Sequence, residues 1–109
     1  MNITFKDMND GICLMSISGR IDSNYSVDLE KALNKAVGEY SRIIMDLKDA
    51  EYISSSGMRV LLAVKKTLRE KNGEIILISL QPVVRDVFEI AGLARLFSIK
   101  KSWEDALSE

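Results

Sequence analysis

Three consecutive serines, Ser54, Ser55 and Ser56, stand before Gly57 and are the residues of this chain best placed to do chemistry. The segment that follows, Gly57 to Leu68, has the apolar spacing of a helix, and the first turn of a helix leaves backbone N–H groups without partners. One serine is enough to cap those groups, so two hydroxyls remain for another role. A phosphoryl group on one of them would meet free N–H donors and the positive end of the helix dipole. The pattern therefore indicates a helix cap, a phosphorylation site, or both.

Carboxylates at strand ends are the second set of candidates. Asp22 follows Gly19–Ile21 at the end of a predicted strand. If the sheet is parallel there, its strands end at one edge, which places Asp22 near the three serines. A turn or capping aspartate fits the same pattern, so both roles remain open. Asp46 and Asp49 lie around the end of the next predicted strand and could bind a cation, although solvated charges fit two lone carboxylates better.

Missing residue types exclude several enzyme classes. The 109 residues include no histidine, so a Ser-His-Asp triad, a Cys-His pair and a histidine phosphorelay are all impossible. Neither the phosphate-binding loop of nucleotide hydrolases nor the glycine fingerprint of dinucleotide-binding folds occurs. The one cysteine, Cys13, lies in an apolar run, where a small buried hydrophobe is the expected role. We therefore expect no catalytic activity, no cofactor and no bound metal.

Composition and charge are those of an ordinary globular domain. Hydrophobic residues make up 47% of the chain and charged residues 28%. The net charge of -1, from 15 basic and 16 acidic residues, lacks the basic excess of nucleic-acid-binding proteins. No apolar segment approaches the roughly 20 residues of a membrane span, and the N-terminus does not resemble a signal peptide. We expect a cytoplasmic protein with one domain over residues 1–109.

Strand-like and helix-like segments alternate along the chain. The predicted strands are Ile3–Phe5, Ile12–Ile17, Arg42–Leu47, Glu74–Leu80 and Leu96–Ile99. The predicted helices are Ser26–Val37, Gly57–Leu68, a segment from Pro82 to Gly92, and a short one opened by Ser102 and Asp105. Helices between strands imply crossover connections, which predicts an α/β fold with a mixed, mostly parallel sheet of four to five strands and about four helices. The unbroken apolar run Ile75–Ile78 predicts a strand covered on both faces.

Two motifs resemble the signature of STAS domains. From Arg42 to Leu62 the chain shows an apolar strand, Asp-Leu, a short loop, an aromatic-apolar pair, serines before a glycine, and a Leu/Val-rich helix. The earlier segment Ser18–Asp22 is similar to the family's Gly-x-apolar-Asp element, and the order of elements agrees from end to end. In the stand-alone members of this family, the anti-sigma factor antagonists, the first serine after the motif aspartate is phosphorylated. The resemblance implies that this serine is Ser55, with Ser54 in the position of the aspartate.

The resemblance also implies a partner-switching mechanism. The unphosphorylated protein would bind an anti-sigma factor that is an ATP-dependent serine kinase and so free a sigma factor. Phosphorylation would inactivate the protein, and a PP2C-type phosphatase would reverse it. Neither nucleic acid nor membrane insertion is implied. Around Ser55, the expected partner-binding residues are Asp22, Asn24, Tyr25, Ser54, Ser56, Gly57, Met58 and Arg59.

Gly57 and Met58 are expected to contribute to the site in different ways. Gly57 is expected to leave room for a partner's backbone, whereas Met58 fits either a partner contact or the core. The alternative is a STAS subunit of a transporter or signalling scaffold that binds its partner constitutively, without phosphorylation.

Overall fold

A five-stranded mixed sheet forms the centre of the computed structural model, which describes residues 1–108. Its strands are β1 (Asn2–Asp7), β2 (Ile12–Ile21), β3 (Arg42–Ile53), β4 (Glu74–Ile78) and β5 (Ser98–Lys100). The helices are α1 (Ser26–Glu39), α2 (Ser55–Glu70), α3 (Pro82–Ile90) and α4 (Trp103–Leu107), and a 3-10 turn (Ser23–Tyr25) precedes α1. The predicted fold class and the predicted order of elements are confirmed.

The strands lie side by side in the order in which they occur in the chain. β1 pairs with β2 in antiparallel fashion, and every later pair is parallel. The crossovers through α1, α2 and α3 each lead to the next strand in the same direction. The order of the described strands therefore never reverses, and a crevice of the kind that forms where neighbouring loops diverge is not expected. The carboxyl ends of β2 to β5 therefore share one edge, and the groups that follow them lie on an open surface.

Apolar side chains cover both faces of the sheet. One face packs against α1, α2 and α3, whereas α4 covers part of the opposite face. In β4, Ile75 and Leu77 belong to the first layer, and Ile76 and Ile78 belong to the second. All four side chains are buried, which confirms a strand covered on both faces.

The long strand β3 differs most from the prediction, because it continues to Ile53 instead of ending at Leu47. Its pairing with β2 shifts register twice, as at a β-bulge, so the simple alternation of buried and exposed residues is lost. The shifts return Ala50 and Ile53 to the core, while the intervening charged residues are exposed and resemble a loop in sequence. β4 pairs with β3 only as far as Asp46, so the last seven residues of β3 have β2 as their one neighbouring strand.

The smaller differences lie at element ends. α2 begins at Ser55, two residues before the predicted start. β5 begins two residues after the predicted Leu96, because Leu93 to Phe97 form turns after α3. Asp46 lies inside β3, where its carboxylate accepts a hydrogen bond from the Lys48 N–H at 3.0 Å.

Candidate functional site

The three serines divide their hydroxyl groups between two tasks at the start of α2. Ser54 is the N-cap, and its Oγ accepts a hydrogen bond from the Gly57 N–H at 3.2 Å. The same oxygen lies 2.9 Å from the Oγ of Ser56, close enough for either hydroxyl to donate to the other. Ser55 is exposed as the first residue of the helix, and its hydroxyl makes no hydrogen bond to any residue in the described chain. Of the three hydroxyls, that of Ser55 alone is both exposed and uncommitted.

The helix start is held tightly against the ends of β2 and β3. The Ser54 N–H donates to the Ile21 carbonyl at 2.8 Å, one residue beyond the pair formed by Ile21 and Ile53. Gly57 is buried here, and a Cβ on it would lie 3.1 Å from the side chains of both isoleucines. The expectation that Gly57 leaves room for a partner is therefore wrong: the missing side chain makes room for the sheet of the same molecule.

Met58 and Arg59 point to opposite environments. Met58 is 6% exposed and belongs to the main core, so its expected role as a partner contact is wrong and the core alternative is confirmed. Arg59 is exposed on the first full turn of α2. It forms no ion pair within residues 1–108.

Asp22 lies at the same edge as the serines, as predicted from the parallel strands. Because Ile21 pairs with Ile53, Asp22 and Ser54 occupy adjacent positions just beyond the two strands. The Asp22 carboxylate accepts a hydrogen bond from the Asn24 N–H at 3.0 Å and caps the 3-10 turn. Asp22 therefore both caps the 3-10 turn and lies at the candidate site.

Tyr25 and Val27 are exposed apolar residues beside the serines, and Val27 was not among the residues predicted from the sequence. Asn24 and Tyr25 are exposed in the 3-10 turn, which packs next to α2. Val27, the second residue of α1, is 58% exposed. The signal in the sequence was its position off the apolar stripe that Leu29 and Leu33 form, where a buried valine would not be expected.

Cys13 lies at the start of β2, at the opposite edge of the sheet from the serines. The side chain is fully buried, and burial raises the pKa of the thiol. The group therefore stays protonated and behaves as a small hydrophobe, which confirms the prediction made for it.

No group of three or more metal-ligating side chains comes together in the portion of the chain that the structure describes. None of the helices between residues 1 and 108 is long and apolar enough to cross a bilayer.

Comparison with known proteins places the chain in a family. Residues 6–106 match the model of the STAS domain. BtrV of Bordetella bronchiseptica, by name a candidate anti-sigma factor antagonist, is 40% identical over 101 residues, which are 92% of this chain and 87% of BtrV. An anti-sigma factor antagonist from Mycobacterium paratuberculosis superimposes with a TM-score of 0.87 at 27% identity, over 98% of this chain and 91% of that one. Unphosphorylated SpoIIAA from Bacillus shares the fold, with a TM-score of 0.83 at 20% identity over 98% and 94% of the two chains. The chain belongs to the STAS domain family.

Proposed function

We propose that the protein is an anti-sigma factor antagonist whose binding is switched by phosphorylation of Ser55. The observation that carries this proposal is the exposed and uncommitted Ser55 hydroxyl, beside two serines whose hydroxyls are engaged. BtrV is 40% identical to this chain and the Mycobacterium paratuberculosis protein is 27% identical. Both are named as anti-sigma factor antagonists, which supports the same role here. The partner would be an anti-sigma factor that is also a serine kinase.

Phosphorylation at this position would change the surface more than the fold. The kinase transfers the γ-phosphoryl group of ATP to the Ser55 Oγ, releasing ADP and the hydroxyl proton. The product carries about -1.5 to -2 charges at neutral pH. The first turn of α2 contains no acidic residue, and its leading N–H groups lack helical partners, so the helix start can accommodate the phosphate. The neighbouring carboxylate of Asp22 adds a repulsive term that favours the unmodified state.

The proposed binding surface surrounds the hydroxyl on the outside of the molecule. Asn24 and Tyr25 lie in the 3-10 turn that packs next to α2, Arg59 lies one helical turn after Ser55, and all three are exposed. Val27 adds apolar area next to Tyr25, whose ring suits an anchor in the middle of an interface. A phosphate placed among these residues would have to be desolvated in the complex, which weakens binding.

We further propose that the protein acts by binding and has no catalytic activity of its own, because the chain has no histidine and no phosphate-binding loop. A PP2C-type phosphatase would restore the free hydroxyl. The cytoplasm, which holds ATP and sigma factors, would be the site of the cycle.

The decisive experiment incubates the purified protein with ATP and its cognate anti-sigma factor kinase, then maps the phosphate by mass spectrometry. Wild type and the variants Ser54→Ala, Ser55→Ala and Ser56→Ala are compared, with Ser23→Ala as an exposed control outside α2. We expect Ser55→Ala alone to abolish phosphorylation while it still binds the kinase, and Ser55→Asp to weaken binding.

Two outcomes would contradict the proposal in different ways. A phosphate that persists in Ser55→Ala and disappears in Ser56→Ala or Ser54→Ala would move the site by one residue. If the wild type is never modified by its genomic partner, the switch fails and a constitutive STAS subunit becomes the better account.

A further inference from the structure

A row of basic residues follows Ser55 along the exposed side of α2, toward the C-terminal end of the helix. Ser55, Arg59, Leu62, Lys66 and Arg69 follow one another at intervals of four, three, four and three residues, the spacing of one helix face. Leu62 is half-buried and the other four are exposed. Lys65 lies next to Lys66 at the edge of the same row.

The positive charges of this row are not neutralised within the molecule. The ion pairs among residues 1–108 are Arg42–Glu74 and Arg85–Glu89, and neither involves α2. Glu70, the last residue of α2, is the only carboxylate on the helix. Four basic side chains are therefore concentrated on one helix of a protein whose net charge is -1.

An apolar depression lies between these charges. It has a volume of about 190 Å³ and is lined by Leu62 and Leu96, with Lys65, Lys66 and Arg69 around it. Leu96 belongs to the turns between α3 and β5 and is 47% exposed, which is high for a leucine. We name these five residues the basic groove. Its shape and charge fit an apolar side chain that is flanked by carboxylates.

We propose that the basic groove binds an acidic amphipathic segment of a partner protein. An apolar side chain of that segment enters between Leu62 and Leu96, and its Asp or Glu residues pair with Lys66 and Arg69. The identity of the partner as the anti-sigma factor rests on the proposed function, whereas the chemistry of the groove does not. A protein segment fits better than nucleic acid, because no aromatic ring lines the groove for stacking on bases.

Arg59 lies close enough to Ser55 to contact a phosphate there, whereas the basic groove lies farther along α2. Ser55 and Arg59 are four residues apart on the helix, so a phosphate on Ser55 can pair directly with Arg59. Lys66 lies eleven residues from Ser55, roughly 16 Å along the helix axis. That is about twice the screening length of 8 Å at physiological salt. The groove therefore contributes to affinity largely independently of phosphorylation.

The first test measures the affinity of the full-length protein for the anti-sigma factor by calorimetry at low and high salt. Lys66→Glu and Arg69→Glu are each expected to weaken binding about 10-fold at low salt and less at high salt. Leu96→Ala is expected to weaken it about 5-fold at both salt concentrations, since an apolar contact is not screened. Lys31→Glu, an equal charge change on the exposed side of α1, is the matched control and stays within 2-fold. Reversals on α2 that behave like Lys31→Glu would overturn the groove.

A second test does not depend on the anti-sigma factor. If no anti-sigma factor binds the wild type, that result refutes the proposed function but not the basic groove. Isotope-labelled protein is titrated with a 16-residue helical peptide that presents leucines flanked by glutamates, and amide shifts are followed by NMR. Shifts centred on Leu62, Lys66 and Leu96, absent with the peptide in which lysines replace the glutamates, support the groove. Equal or absent shifts overturn it. Binding of phosphatidylserine vesicles or duplex DNA that is lost in Lys66→Glu, without peptide binding, would assign the surface to lipid or nucleic acid instead.

Discussion

Removing the hydroxyl of Ser54 tests whether this residue caps α2. Ser54→Ala deletes the acceptor of the Gly57 N–H and the partner of the Ser56 hydroxyl. Loss of an N-cap serine costs about 1 kcal/mol, within a range of about 0.5 to 2. An unfolding entropy of about 2.1 cal/mol/K per residue gives roughly 0.23 kcal/mol/K for 109 residues. The expected fall in Tm is therefore about 4 °C, measured by circular dichroism at fixed pH and salt.

The matched control for this measurement is the next residue along the chain. Ser55→Ala removes an exposed hydroxyl that has no hydrogen-bonding partner in residues 1–108, so its Tm is expected to stay within about 2 °C of wild type. Ser54→Asp keeps a capping oxygen and places a negative charge at the helix start, a gain of about 0.3 to 1 kcal/mol at low salt that repulsion from the neighbouring Asp22 carboxylate partly offsets. If Ser54→Ala melts with the wild type, or if Ser55→Ala is the more damaging change, the assignment of cap and free hydroxyl is refuted.

Three further changes probe the packing. Gly57→Ala is expected to destabilise the domain by about 1 kcal/mol in urea unfolding, because overpacking against two isoleucines at 3.1 Å outweighs the gain in helix propensity; a more stable variant would contradict this. Ile76→Asp buries an unpaired charge and should abolish the cooperative melt, whereas Ile90→Asp at an 86% exposed site should not. Burial raises the pKa of the Cys13 thiol above 9.0, so the unfolded chain loses this proton first and stability falls above about pH 9; Cys13→Ala should reduce that fall in pH-dependent melts.

The order of strands and helices was predictable because it depends on local periodicity. Runs such as Ile75–Ile78 have few alternatives to a strand covered on both faces, and the spacing of Leu29 and Leu33 defines the buried side of α1 without knowledge of its neighbours. The proximity of Asp22 to Ser54 also followed, since parallel strands end at a common edge.

What could not be predicted depends on contacts between distant parts of the chain. Gly57 and Met58 follow three polar serines in sequence, yet both are buried in the core, and Gly57 packs against Ile21 of β2, more than thirty residues earlier, as well as against Ile53. The end of β3 was missed because the register shifts against β2 interrupt its alternation. The choice of Ser55 as phosphoacceptor and the single domain over residues 1–109 stay predictions.

The unequal length of the strands has a consequence for how the molecule opens. The first five residues of β3, Arg42 to Asp46, lie between two strands, whereas the last seven have a strand on one side only. On the other side, the Lys48 carbonyl accepts a hydrogen bond from the Gln81 side chain at 2.6 Å. Amide hydrogens should therefore exchange with solvent in a gradient, slowest around Ile44 and faster towards Ile53. The edge that carries Ser55 would then exchange faster than the middle of β3, and a bound partner would show itself as slowed exchange there.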